Sequence, residues 1–183
     1  LQTISALRDL HAFPERDFPS EQVTLMEPFS PELYRWERDY FREHFVGAVC
    51  GISLAPEDAR LLEAELSALA GRLVAGPRCL VHRDLQAQNV MIRNGEPVFI
   101  DFQGMRFGSP FYDLGSLLCD PYMPFTEEER EEYLAHYYGL SSFGYPWEVF
   151  RHRFWEASAQ RLMQALGAYG FLGLSKGLSA FLD

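Results

Sequence analysis

Three side chains with oxygen atoms that can bind cations stand close together in the middle of the chain. Asp84 and Asn89 are five residues apart in the stretch 81–92, and Asp101 follows a second apolar stretch. Transfer of a γ-phosphoryl group needs a group that accepts the proton of the attacking hydroxyl and oxygen ligands for Mg²⁺, which neutralises phosphate charge. Asp84 can accept the proton, while Asn89 and Asp101 can offer an amide and a carboxylate oxygen to the ion. These residue types at this spacing predict a phosphoryl-transfer site.

The elements around these residues explain how they could converge. Apolar stretches at 90–93 and 97–100 are separated by Asn94-Gly95. This dipeptide suits the two positions with positive φ in a type I′ turn, so the stretches are predicted to form a β-hairpin. The hairpin would bring Asp101 back to the loop that precedes it.

The order of residues around this site resembles that of a known family. The motif residues are His82-Arg83-Asp84, Asn89 at the spacing H-R-D-x-x-x-x-N, Asp101-Phe102-Gln103, and Tyr112-Asp113-Leu114 downstream. They resemble the catalytic loop and the metal-binding D-F-G segment of kinase-like phosphotransferases, with Gln103 in place of the Gly. Within that superfamily the chain is most similar to the aminoglycoside phosphotransferase and choline kinase group. There it most resembles bacterial sugar kinases that phosphorylate N-acetylmuramate and N-acetylglucosamine at the anomeric hydroxyl during cell-wall recycling.

This resemblance implies a fold, a reaction and roles for particular residues. The fold would be α+β but mostly α, the carboxy-terminal lobe of the protein-kinase-like fold, with a small β-hairpin carrying the catalytic loop. The enzyme would use ATP and Mg²⁺. The implied roles are base for Asp84, metal ligand for Asn89 and Asp101, and support of the catalytic loop for His82, Arg83 and Asp113.

The acceptor is expected to be a small molecule. Protein kinases place a long activation segment ending in A-P-E between the metal-binding Asp and the next helix. Here only residues 102–112 separate Asp101 from Asp113, and no A-P-E follows Asp101. This leaves no room for a platform on which a peptide substrate could dock.

Two residues away from the motif are candidate contacts for the acceptor. Glu37 lies on a helix expected over 32–46, where it could contact a sugar or simply face solvent. Arg161 lies on a late helix, where it could reach the acceptor or pair with a neighbouring carboxylate. Both alternatives stay open at this point.

The nucleotide-binding parts of a kinase are not found before the catalytic loop. Kinase-like enzymes use a Gly-rich loop and a strand Lys from an amino-terminal lobe, but the chain has no G-x-G-x-x-G, and its one Lys is Lys176. We therefore expect residues 1–183 to be the catalytic and acceptor-binding lobe alone, without the ATP-binding lobe.

The rest of the chain is expected to be mainly helical. Helical patterns begin near Ile4, at residue 32, at Pro56, after Thr126 and at Trp147, and a Pro-rich irregular segment follows the first of them. The second helix is expected to carry Leu33, Trp36, Tyr40 and Phe41 on one side. Thr126 and Glu129 have the spacing of a capping box. Glycines beginning at 167 are expected to weaken the last helix.

Composition limits the partners and the location. The 183 residues carry a formal net charge of −10, which argues against nucleic-acid or anionic-membrane binding because either needs a basic face. No apolar stretch is long enough to span a membrane, and the three cysteines lack a C-x-x-C pattern. We expect a soluble cytoplasmic protein that binds a nucleotide and a small-molecule acceptor, and the sequence does not fix its oligomeric state.

Two other functions remain possible from the sequence. Six aromatic residues could stack on a sugar, enclose a choline, or simply form core: Tyr122, Phe125, Tyr137, Tyr138, Trp147 and Trp155. An aminoglycoside- or choline-type phosphotransferase is therefore the alternative enzyme. A non-catalytic, pseudokinase-like binding module is the alternative outside enzymes, although the presence of Asp84, Asn89 and Asp101 together argues against it.

Overall fold

We describe residues 1–182 of the chain from a computed structural model. The α-helices of these residues are Gln2–His11 (α1), Pro31–Phe41 (α2), Pro56–Val74 (α3), Pro110–Leu118 (α4), Glu127–Leu140 (α5) and Trp147–Gly170 (α6). The β-strands are Cys79–Val81 (β1), Val90–Arg93 (β2), Glu96–Phe99 (β3) and Arg106–Gly108 (β4). Short 3₁₀ turns occur at Glu15–Asp17, Ala87–Asn89, Phe102–Gly104 and Ser179–Phe181, and π-helical turns at Arg42–Gly47 and Phe171–Ser175. The predicted α+β, mostly helical class is confirmed.

The described residues form two compact units. The first contains Leu1–Phe29 and Gly76–Ser158, and the second contains Ser30–Ala75 with the chain from Ala159 onward. All residues of the predicted catalytic motif therefore belong to the first unit. Glu37 and Arg161 belong to the second.

The strand before the catalytic loop belongs to a small sheet that the sequence did not predict. β1 pairs antiparallel with β4, and all residues of both strands are buried. The segment 26–29 runs beside β4. Met26 N donates to Met105 O and Phe29 N donates to Phe107 O, each at 3.0 Å. Strands of three residues are too short to show an alternating pattern. The sheet nevertheless fixes where the loop begins, because His82 follows β1 directly.

The predicted hairpin is confirmed. β2 and β3 pair antiparallel with Arg93 opposite Glu96. Asn94 and Gly95 both have positive φ, at 54° and 83°, as a type I′ turn requires. One further backbone bond, from Ile100 N to the carbonyl oxygen that precedes β2, continues the pairing at 3.0 Å.

The turn provides a test of this backbone geometry. We expect Gly95→Ala to destabilise the protein by about 1–2 kcal/mol, because an L-residue resists positive φ. An added Cβ at Gly95 would meet no atom within 4 Å, so a steric clash would not explain the loss. Gly139→Ala in α5 is the matched control, since its Cβ also meets nothing within 4 Å but φ is not positive. The control should gain up to about 1 kcal/mol; urea unfolding curves in which both variants shift in the same direction would contradict the prediction.

α4 is buried along its whole length and forms the centre of the first unit. Pro110 occupies its first turn, where the missing N–H costs nothing. Gly115 lies against α6, since a Cβ there would come within 2.7 Å of Ser158 Oγ. This close packing makes α4 a rigid support, and Asp113 lies on it.

Two other helices of this unit match their sequence signals. α1 buries Ile4, Leu7 and His11. α5 begins with the predicted capping box: Glu129 N donates to Thr126 Oγ1 at 3.1 Å, and Thr126 N donates to Glu129 Oε2 at 2.9 Å. The first helical pattern and the box are thus confirmed.

In the second unit, α2 buries charged as well as aromatic side chains. Trp36 is 52% exposed, whereas Tyr34, Glu37 and Arg38 are buried. Arg38 is turned inward because Nη1 donates to the carbonyl oxygen of Leu66 in α3 at 2.9 Å. Charged side chains can be buried where the interior supplies hydrogen-bond partners.

The α-helical part of the last helix ends among the glycines that were expected to weaken it. α6 continues through the first glycines to Gly170 before a π-helical turn follows. An added Cβ at Gly167 would lie 2.9 Å from Phe41 N. Gly167 therefore permits close packing of α6 on α2 rather than ending the helix.

None of the helices in residues 1–182 is both long enough and apolar enough to span a membrane.

Candidate active site

The loop between β1 and β2 is compact and contains two backbone hydrogen bonds of its own. Gln86 N donates to Asp84 O, and Asn89 N donates to Gln86 O, each at 2.9 Å. Arg83 adopts a positive φ of 77°, which a non-glycine residue adopts at a cost of about 1–2 kcal/mol. Such strain persists only where surrounding contacts enforce it. The loop conformation is thus imposed by its neighbours.

The side chain of Asn89 is hydrogen-bonded to the backbone of Asp84. Asn89 is 8% exposed, and its Nδ2 donates to the backbone oxygen of Asp84 at 2.8 Å. Because the amide nitrogen is engaged in this bond, the side chain has a fixed orientation. The positions of Asp84 and Asn89 are coupled in this way.

The hairpin returns Asp101 to the same loop. Ile100, its neighbour, donates to Asn89 O at 3.0 Å. Asp101 itself is exposed, and its backbone adopts the left-handed helical conformation, with φ 63° and ψ 45°. The structure therefore brings the Asp101 segment next to Asn89, as the hairpin predicts.

Gly104 lies beside Asp84, one position after the residue that corresponds to the Gly of D-F-G. A Cβ at Gly104 would come within 3.3 Å of Asp84 Oδ2, so a side chain there would crowd the carboxylate. The 3₁₀ turn Phe102–Gly104 thus packs the segment after Asp101 against Asp84. Gln103 takes the place of the expected Gly, and Gly104 supplies the small residue.

Arg83 contacts Asp84 directly. Arg83 Nη1 donates to Asp84 Oδ2 at 3.0 Å, and the side chain of Asp84 is 34% exposed. The guanidinium therefore restrains the carboxylate while part of it remains open to solvent. This is the arrangement expected of a group that must meet a substrate.

The start of the loop is held by Asp113. Its Oδ2 accepts from His82 N at 2.6 Å, and its Oδ1 accepts from Arg83 N at 2.7 Å. Asp113 is completely buried, and short bonds from N–H groups to an ionised carboxylate are among the stronger hydrogen bonds of proteins. The resemblance implies this contact from the following helix, and the structure shows it.

His82 connects the loop to the hairpin. Its Nε2 lies 2.9 Å from Ile100 O, and since a carbonyl can only accept, Nε2 carries the proton. The ring also meets Phe99 edge-on at a centroid distance of 6.2 Å. His82 thus connects the catalytic loop to the end of β3.

A family model described as the phosphotransferase enzyme family (APH) matches residues 2–155, which include the whole loop, the hairpin and α4. The chain belongs to this phosphotransferase family. The N-acetylmuramate/N-acetylglucosamine kinase of Neisseria meningitidis serogroup B is 33% identical over 104 residues, or 57% of this chain and 31% of that protein. The chain thus spans about a third of the length of that curated relative.

Solved structures show the same fold. A choline/ethanolamine kinase family protein from Mesorhizobium loti has a TM-score of 0.63 at 20% identity, covering 100% of this chain and 56% of that one. The aminoglycoside phosphotransferase APH(3'')-Id from Streptomyces rimosus, in complex with ADP and streptomycin, has a TM-score of 0.55 at 18% identity, covering 87% and 60%. The expected protein-kinase-like fold is confirmed.

The phosphotransferase contains two buried residues of this site that sequence reasoning did not assign. His11 Nε2 lies 3.2 Å from Asp113 Oδ2, and His11 Nδ1 lies 2.7 Å from the Tyr137 hydroxyl. Burial raises the pKa of Tyr137, so its hydroxyl keeps its proton and can donate to Nδ1. A histidine on the apolar face of α1 was the signal available in the sequence, because a buried imidazole needs partners.

Glu37 and Arg161 lie in the second unit of the phosphotransferase. Glu37 is completely buried, so its interpretation as a solvated carboxylate is wrong. Its Oε2 accepts from Gln160 Nε2 at 3.0 Å. Arg161 is 4% exposed and donates from Nη1 to Gln164 Oε1 at 2.6 Å. A contact of either residue with an acceptor stays a prediction.

The oxygen donors of this site suit Mg²⁺ in their chemical type. Within residues 1–182, no group of three or more His, Cys, Asp or Glu side chains could hold a metal ion by itself. Mg²⁺ needs no such group, because it takes one or two protein oxygens with substrate phosphates and water. Asn89, whose amide is oriented by the bond to Asp84 O, and the exposed Asp101 provide such oxygens.

Proposed function

We propose that the protein is an ATP- and Mg²⁺-dependent kinase that phosphorylates the anomeric hydroxyl of an amino sugar. The observation that carries the proposal is that Asp84 and Asn89 share one loop, whose backbone is held by Asp113, and that the hairpin brings the segment of Asp101 beside Asn89. The relative named N-acetylmuramate/N-acetylglucosamine kinase supports the choice of acceptor. The proposed place of the reaction is cell-wall sugar recycling in the cytoplasm, where ATP is available.

The chain's own residues have defined tasks in this reaction. Asp84 accepts the proton of the acceptor hydroxyl as that oxygen attacks the γ-phosphorus, and Arg83 holds the carboxylate in position. Asn89 and Asp101 would hold Mg²⁺ by their side-chain oxygens. When bound, Mg²⁺ neutralises charge on the phosphate oxygens. The loop contributes by orientation, since this reaction asks the protein for positioning and charge stabilisation rather than covalent chemistry.

We further propose that residues 1–183 form the catalytic and acceptor-binding lobe of the kinase. The absence of Lys before Asp84 supports this assignment, because the phosphates of the nucleotide then need cations from elsewhere. A separate ATP-binding lobe would provide the Gly-rich loop and the strand Lys. Glu37 and Arg161 are proposed to shape the acceptor site, directly or through Gln160 and Gln164.

The test is phosphoryl transfer by the full-length gene product with Mg-ATP. We expect ADP release with N-acetylmuramate and N-acetylglucosamine but not with choline or an aminoglycoside, and loss of turnover when EDTA removes the metal. The methyl glycoside of N-acetylglucosamine is the matched control, because its anomeric oxygen carries no proton. Turnover of that glycoside would refute the anomeric hydroxyl as acceptor.

The remaining outcomes separate the alternative functions. Turnover of choline or the aminoglycoside alone would establish the alternative class of acceptor. No turnover and no ATP binding would favour a non-catalytic binding module. The ³¹P NMR spectrum of the product identifies the phosphorylated oxygen directly.

A further inference from the structure

Asp120 is a second buried carboxylate that binds the catalytic loop. It follows Asp113 by seven residues and is 4% exposed. Its Oδ2 accepts from Ala87 N at 2.5 Å, and its Oδ1 accepts from Tyr122 N at 3.0 Å. The sequence alone gives no reason to select this residue, because its partner lies 33 positions away.

Ala87 is the point of the loop that most needs such a partner. It opens the 3₁₀ turn Ala87–Asn89, and the first N–H groups of a helical turn have no partner within the turn. An apolar cavity of about 330 Å³ borders the loop at Ala87 and Val90. On the side of the cavity, no side chain of the described residues packs against this end of the loop, so the hydrogen bond from Ala87 N to Asp120 is a contact that holds it.

Asp113 and Asp120 bind the backbone of the catalytic loop at two different places. Asp113 binds the backbone at His82 and Arg83, before Asp84, and Asp120 binds it at Ala87, after Asp84 and two residues before Asn89. We propose that Asp120 is a positioning residue that fixes the second half of the catalytic loop and thereby sets Asn89 relative to Asp84. The proposal rests on the kinase function proposed above.

The proposal predicts a particular pattern of change in the full-length protein. Asp120→Asn keeps the shape of the side chain, but its one oxygen can satisfy only one of the two N–H groups. We expect kcat to fall about tenfold and the Mg²⁺ concentration for half-maximal rate to rise by several fold, because the loop loses one of its hydrogen bonds to a charged group. The KM for the acceptor should change little. A residue that only stabilised the fold would lower the active fraction without changing the Mg²⁺ dependence.

Hydrogen exchange supplies a readout that does not need activity. Amide exchange in a peptide covering residues 85–91 should be faster in Asp120→Asn than in the wild type, while peptides from α3 exchange as before. Asp9→Asn, an exposed carboxylate in α1 of the same unit, is the control and should match the wild type in every measurement.

The outcomes distinguish this inference from the proposed function. Unchanged exchange at residues 85–91 would overturn the inference, and so would faster exchange with unchanged kcat and Mg²⁺ dependence. A wild-type protein that phosphorylates no acceptor in the panel would refute the proposed function, and with it the catalytic part of the inference. The exchange measurement would then still decide whether Asp120 holds the loop.

Discussion

The Asp84→Asn variant of the full-length protein will transfer phosphoryl groups about a thousandfold more slowly than the wild type, because an amide cannot accept the hydroxyl proton. The substitution preserves the size of the side chain. An oxygen remains to accept from Arg83 Nη1, which lies 3.0 Å from Asp84 Oδ2. The fold should therefore survive, with an unchanged midpoint of thermal unfolding. Single-turnover rates are the appropriate measurement, since slow product release can hide a loss in the chemical step.

Asp58→Asn is the matched control for this variant. Asp58 is exposed near the start of α3 and belongs to the second unit. The rate of phosphoryl transfer and the unfolding midpoint of Asp58→Asn should equal those of the wild type. A wild-type rate in Asp84→Asn would remove Asp84 as the base and leave only its backbone oxygen, which binds Asn89, in a structural role.

The parts of the site that the sequence revealed are those encoded by local chemistry. Asn94 and Gly95 specify the turn that returns Asp101 to the loop, and both residues adopt the required positive φ. The motif spacing could therefore be converted into a spatial arrangement without knowledge of the rest of the fold. Asp84 and Asn89 are linked by one hydrogen bond over five residues, a distance that sequence patterns describe well.

The parts that the sequence did not reveal depend on partners far along the chain. His11 meets Asp113 over 102 positions, and the buried Glu37 meets Gln160 over 123 positions. Hydrophobic patterns place polar residues at the surface by default, so they misassign buried polar residues whose partners come from another element. The interpretation of Glu37 as a solvated carboxylate failed for this reason, because the buried side of α2 includes charged side chains.

The largest loss of stability is expected for Asp113→Asn. The buried carboxylate accepts from two backbone N–H groups of the loop and from His11, whereas an asparagine side chain has one accepting oxygen and a donor that would oppose another donor. We expect the free energy of unfolding to fall by about 2–4 kcal/mol, as happens when a buried charged hydrogen-bond partner is lost. Urea unfolding at 25 °C measures this loss, and a value within error of the wild type would contradict it. We expect kcat to fall as well, because the loop at His82 and Arg83 loses its support.

His11→Phe separates the effect on stability from the effect on the loop. This variant keeps a ring in the space between Asp113 and Tyr137 but removes both hydrogen bonds of the imidazole. Asp113 retains its two backbone donors, so the loop should keep its position. We therefore expect a loss of about 1–3 kcal/mol of stability with a much smaller loss of kcat than in Asp113→Asn. Equal losses of kcat in the two variants would mean that Asp113 supports catalysis only through the stability of the unit and not through the backbone at His82 and Arg83.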